Sequence, residues 1–131
     1  MSVIVDTSVW SLALRRPAPD SEIVDRLRIL VTQDEVSILG AIRQEILSGL
    51  RTPAQFTRLR DYLRAFPEVA LTQADYETAA EFFNTCRQNG VQGSNTDFLI
   101  CAVAYRRNDS ILTTDQDFRT FQTYLPITLL E

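Results

Sequence analysis

Asp6, Glu45, Asp97 and Asp115, with Asp117 beside the last, are acids set against the most apolar parts of the chain. Asp6 closes the run Val3-Ile4-Val5, and Asp115 follows Ile111-Leu112-Thr113-Thr114. Asp97 directly precedes Phe98-Leu99-Ile100-Cys101-Ala102-Val103-Ala104-Tyr105, eight residues without a charge. A carboxylate at the edge of a buried segment is costly unless it is paired, hydrogen-bonded or bound to a cation. The sequence contains no His, and its 13 basic residues are all Arg, so protein-supplied partners are few. A divalent metal resolves the charge. All-oxygen donors favour Mg²⁺ or Mn²⁺ over Zn²⁺, which prefers nitrogen and sulfur. Such an ion suits phosphodiester hydrolysis, because it acidifies a water, polarises phosphoryl oxygens and dispenses with a His base.

Each acid also has a plainer reading. Asp6 and Asp115 suit helix caps or turns, Asp97 suits a first helical turn, and Glu45 and Asp117 suit solvated positions. The common placement of the set favours chemistry. Rival acidic pockets fit less well. Response-regulator receivers and haloacid-dehalogenase-type phosphatases normally need a Lys, and the latter an acid where this chain has Ser8. No Gly-rich loop ends in Lys-Ser or Lys-Thr, which excludes a Walker-type site.

The elements that must carry these residues follow from pattern. Val3–Val5 reads as a strand buried on both faces. A short helix is expected over residues 8–14, broken at Pro17 and Pro19. Asp20 or Ser21 then caps a helix with Ile23, Leu27, Leu30 and Val31 along one stripe. Residues 36–39 read as a second strand, and 41–50 as a helix with Ile42, Ile46 and Leu50 inward and Glu45 at the stripe's edge. Thr52-Pro53 restarts a helix whose apolar face is Phe56, Leu59, Leu63 and Phe66. Residues 67–71 form a short strand, and Thr72 caps a helix bearing Tyr76, Ala79, Ala80 and Phe83. Gly90 and Gly93 end it, and Ser94 or Asn95 opens the apolar helix to Arg107. A strand over 110–113, a helix over Asp117–Tyr124 and a last strand over 127–129 complete the chain. This alternation implies a single α/β domain over residues 1–131, with a mostly parallel central sheet flanked by helices. Ligands of such sheets bind beyond the carboxyl ends of the strands, where Asp6 and Asp115 lie. Asp97 at a helix N-terminus and Glu45 after the second strand can join them in one cleft.

At these residues the chain resembles a PIN-domain ribonuclease, specifically a VapC-type toxin of a VapBC toxin–antitoxin system. Asp6-Thr7-Ser8-Val9-Trp10 resembles the first family motif, and Glu45 in Arg43-Gln44-Glu45-Ile46-Leu47 the second. Asp97-Phe98-Leu99-Ile100-Cys101-Ala102 resembles the third, and Thr113-Thr114-Asp115-Gln116-Asp117-Phe118 the fourth. Order and spacing match along almost the whole chain. The resemblance implies Mg²⁺- or Mn²⁺-dependent endonucleolytic cleavage of RNA. Asp6, Glu45, Asp97 and Asp115 would be catalytic and hold the metal, with Asp117 a more variable fifth. Ser8 and Thr113 would orient carboxylates by hydrogen bonds. The resemblance further implies a homodimer and a small cognate antitoxin that blocks the cleft. The alternatives are a PIN-like nuclease of structured DNA or RNA maturation, and a non-catalytic module binding RNA or a partner on the same fold.

Charge bears on the substrate. A net charge of −4 argues mildly against nucleic acid, but acids gathered on a metal leave the remaining surface near neutral or slightly basic. Arg51, Arg58, Arg60 and Arg64 crowd one stretch, and the planar guanidinium matches phosphate geometry. Cys86 and Cys101 fall inside helical patterns and read as core thiols of a reducing compartment. No apolar run approaches the ~20 residues that span a bilayer, and no basic segment leads an apolar one at the start. A soluble cytoplasmic protein without membrane contact is the expectation.

Overall fold

The computed structural model describes residues 2–14 and 21–130. Among them, ten elements run in the order β1 (Val3–Val5), α1 (Thr7–Leu14), α2 (Glu22–Thr32), β2 (Val36–Ser37), α3 (Gly40–Leu47), α4 (Pro53–Leu63), α5 (Gln73–Gln88), α6 (Asn95–Arg107), β3 (Ser110–Leu112) and α7 (Asp117–Tyr124). The expected break at Pro17 and Pro19, and Asp20 as a cap, lie outside the described residues. Ser21 does cap α2, its hydroxyl accepting the Val24 N–H.

The β-branched run Val3–Val5 becomes the central strand of a parallel sheet ordered β2-β1-β3. Val3 pairs with Val36 on one side and Ser110 on the other, and Val5 with Leu112. Every residue of β1 and β3 is buried, as expected of a sheet covered on both faces. The α/β architecture is therefore as the pattern implied. Helix α1 packs on α2 and α3, and α3 on α4, while α6 lies against β1 and β3 with α5 along it. Phe98 through Ala104 are all buried, so α6 is the central helix of the core. It stops where Asn108 turns left-handed at φ 61°.

Several elements depart from the pattern. Helix α3 ends at Leu47 rather than reaching residue 50, because Ser48 is extended and Gly49 follows at φ +82°. Leu50 therefore sits in a connecting segment. Phe56 is exposed on α4, whereas Leu59 and Leu63 are buried and Phe66 packs its ring on Trp10 at 5.2 Å. Residues 67–71 supply only a parallel bridge, Ile38 to Glu68, since Pro67 lacks an N–H and Thr72 already begins the next helix. Residues 127–129 likewise give a bridge, Ile111 to Leu129, rather than a strand. The face of α5 is rotated: Asp75, Ala79, Phe82 and Cys86 are buried, and Tyr76 and Ala80 are exposed. The cause is local. Asp75 closes a capping box with Thr72 and reaches inward to Arg106 at 2.8 Å, which turns Tyr76 outward. Cys86 and Cys101 are free and buried, as expected of core thiols.

Candidate active site

Asp6 leaves the C-terminal end of β1 with its backbone still in the sheet, its N–H donating to the Leu112 carbonyl at 2.9 Å. Its side chain is buried, at 6% exposure. Two hydroxyls steady one carboxylate oxygen: Ser8 Oγ donates to Oδ2 at 2.8 Å and Thr113 Oγ1 at 2.9 Å. Thr113 follows β3 and serves a second acid, because its hydroxyl accepts the Asp115 N–H at 3.0 Å. Ser8 and Thr113 are thus hydrogen-bond partners of Asp6, and Thr113 of Asp115 as well. Asp115 in turn accepts the Asp117 N–H on Oδ1 at 2.9 Å, opening α7.

Asp97 belongs to the capping box of α6. Its N–H donates to Ser94 Oγ at 3.0 Å, and its Oδ2 accepts the Ser94 N–H at 3.1 Å. The helix-cap reading of Asp97 is therefore what the hydrogen bonds show, and it leaves the residue a candidate site acid. Burial pushes its carboxyl above the usual range against the pull of the Ser94 hydrogen bonds, and the charges of Asp6 and Asp115 add to the rise. Asp97, at the start of α6, thus lies near enough to Asp6 after β1 and Asp115 after β3 to feel their charges. Among the described residues, no arginine forms an ion pair with any of the three.

Glu45 stands apart. It is exposed on α3 and joins the site through Thr7, whose Oγ1 donates to Oε1 at 2.9 Å. Asp117 is exposed as well. For these two, the premise that burial makes the charge costly does not hold; it applies to Asp6 and in part to Asp97 and Asp115. Thr7 is the site residue that the motif reading passed over. Its signal was present: a hydroxyl directly after Asp6 at the start of a helix.

Among the described residues, no group of three acidic, His or Cys side chains converges into a ready-made ion cage. The donor set nonetheless fits a hard cation. Mg²⁺ typically takes one or two carboxylates and keeps several waters. Asp6 Oδ1, Asp97 Oδ1 and Asp115 Oδ2 receive no hydrogen bond from the described residues, so each acid keeps an oxygen to offer. Zn²⁺ does not fit, since there is no His and both thiols are buried. Cys101, one turn beyond Asp97, is driven upward by burial and by the charge of Asp97, and remains a neutral thiol.

The arginines of α4 are partly compensated. Arg60 and Arg64 both turn to Asp61, at 3.1 and 3.8 Å, while Arg51 and Arg58 are exposed. No described helix is long and apolar enough to cross a membrane.

The model of the PIN domain family matches residues 3–123. The chain belongs to the PIN domain family. No curated protein matches it by sequence. Its fold is similar to that in VapBC-1 from nontypeable Haemophilus influenzae, with TM-score 0.80 and 16% identity over 100% of this chain and 98% of that one. VapBC2 from Rickettsia felis, bound to a DNA fragment from its promoter, gives TM-score 0.79 and 18% identity over 100% and 98%. Mycobacterium tuberculosis VapC20, a sarcin-ricin loop cleaving toxin, gives TM-score 0.65 and 20% identity over 91% and 94%. At such identities the likeness is one of fold, and it extends over nearly the entire PIN domain.

Proposed function

We propose that this PIN domain is a divalent-metal-dependent endoribonuclease, acting in the cytoplasm as the toxin of a type II toxin–antitoxin pair. The observation that carries the reading is that Thr113 joins Asp6 and Asp115 beyond the parallel strands, with Asp97 near enough to feel their charges and no described arginine paired with any of the three. Family membership and the similarity in fold to VapBC structures and to a sarcin-ricin loop cleaving toxin support it.

Asp6, Asp97 and Asp115, with Glu45 as a fourth arm and Asp117 as a peripheral fifth, would hold Mg²⁺ or Mn²⁺. When bound, the ion supplies Lewis acidity at the scissile phosphate and lowers the pKa of the attacking water. Ser8 and Thr113 keep one oxygen of Asp6 engaged, which leaves the other to be offered to the ion. Ser94 does the same for Asp97, and the start of α6 adds a dipole that favours the charge. The chain offers no His as a base, so its acids orient the reacting groups rather than relay protons through imidazole. Exposed Arg51 and Arg58 can meet the RNA backbone. A homodimer, and a small antitoxin whose binding closes the cleft, complete the reading.

The test is brief expression of wild type beside Asp6→Asn, followed by mapping of cleavage ends in total RNA. Discrete new ends with wild type alone are expected. Purified protein should need Mg²⁺ or Mn²⁺, lose activity in EDTA, and lose it again as Asp97→Asn with the fold intact. Equal cleavage by Asp97→Asn, with contaminating nuclease excluded, would remove the site assignment. Metal-independent RNA binding without cleavage would favour a binding module.

A further inference from the structure

The geometry points to Thr7 as a residue that positions Glu45, an inference that rests on the metal-site reading above. Asp6, Asp97 and Asp115 are each anchored by a hydroxyl residue or a turn close to their own strand or helix end. Glu45 arrives from a different direction, on α3 after β2, and is exposed. A Glu side chain has several rotatable bonds, and the site needs one arrangement of them. Thr7 Oγ1 donates to Glu45 Oε1 at 2.9 Å and links residues 38 apart in sequence. Thr7 is the first residue of α1, adjacent to Asp6, and α1 packs on α3. The hydroxyl is therefore held at a set distance from the Asp6 backbone. Through Thr7, the placement of Glu45 is referred to Asp6 rather than to α3 alone.

The chemistry that the tether serves is cation binding. Partners of this kind, one step removed from a metal, typically change its affinity by about 10–100-fold when lost. Thr7→Val keeps the branched shape and removes the donor; Thr7→Ser keeps the donor. Mn²⁺ affinity, read by electron paramagnetic resonance of the free ion, should fall about tenfold in Thr7→Val and return in Thr7→Ser. In a Glu45→Gln background, Thr7→Val should bring no further loss, because the arm it positions is already disabled. Melting of the metal-free protein reports folding, and Thr7→Ala replaces the Val variant if the latter fails to fold. Wild-type affinity in Thr7→Val, failure of Thr7→Ser to rescue, or an undiminished loss in the Glu45→Gln background would each overturn the inference. If instead wild type and Asp97→Asn take up Mn²⁺ identically, the metal-site reading fails and the Thr7 inference falls with it.

Discussion

Gly93→Ala probes how the loop before α6 sets Asp97. A Cβ at Gly93 would lie 2.6 Å from Phe121 Cζ and 3.0 Å from Phe98 Cε2 and Cζ. Carbon atoms prefer about 3.5–4.0 Å, so either the rings or the loop must retreat by roughly 1 Å. The rings cannot do so easily. Phe98 and Phe121 are buried against each other at 4.9 Å, and Phe83 and Phe118 brace them from outside. Overpacking of this kind costs about 1–3 kcal/mol. Gly93, unlike Gly49 and Gly90, is not in the left-handed region, so Ala fits its backbone. Restricting the unfolded chain then returns about 0.4–1 kcal/mol, leaving a net loss of roughly 0.5–2 kcal/mol. At about 2.1 cal/mol/K per residue, the unfolding entropy of this domain is roughly 0.27 kcal/mol/K, so Tm should drop by about 2–7 °C. Thermal and urea unfolding measure this. If the loop lifts instead, the Ser94–Asp97 capping box opens and Mn²⁺ affinity falls with a smaller change in Tm. Unchanged melting together with unchanged Mn²⁺ affinity would refute the reasoning.

Asp97→Asn should raise the Tm of the metal-free protein. Burial and the charges of Asp6 and Asp115 hold the folded-state pKa above the unfolded one, so the ionised acid opposes folding at neutral pH. As pH falls through the folded pKa this penalty is relieved, and the advantage of Asn should vanish below about pH 4, where the acid is protonated in both states; a lower Tm for Asn at pH 7 would contradict this. Arg106→Met should cost about 1–2 kcal/mol, at the lower end for a charged hydrogen bond because the Arg106 side chain is 40% exposed. Asp75 pays for burial but is held below the usual carboxylate range by the Thr72 backbone N–H, by Arg106 and by the Thr72 hydroxyl. Its contribution is complete above the unfolded pKa and is lost as pH falls through the folded one. Urea unfolding between pH 7 and pH 2 should show a shallower acid-side loss in Arg106→Met, and an unaltered profile would remove Arg106 as the cause.

What could be read in advance was local. The Ser94 cap, the Thr72 cap and Thr52-Pro53 each act within one helical turn, and all three open helices at the expected places. Asp6 and Asp115 were placed by the strands they follow. Errors arose where a partner elsewhere in the chain decides the outcome. The buried face of α5 turns on Arg106, 31 residues from Asp75. Residues 67–71 and 127–129 have strand-like composition, but each meets its neighbour through only a single bridge. Phe56 had the spacing of a core residue and found no core beside it.

By itself, the sequence determined the acids, their order, the apolar helix between the last two motifs and the lack of imidazole. These are matters of residue type and short-range pattern. Only the tertiary structure decided which acids are costly. It buries Asp6, sets Asp97 within reach of the Asp6 and Asp115 charges, and leaves Glu45 and Asp117 in solvent. The physical reason is that charge repulsion and desolvation depend on distances between β1, α6 and β3, which the packing of the sheet creates. The same packing brings Thr7 to Glu45, a contact that no spacing along the chain could announce.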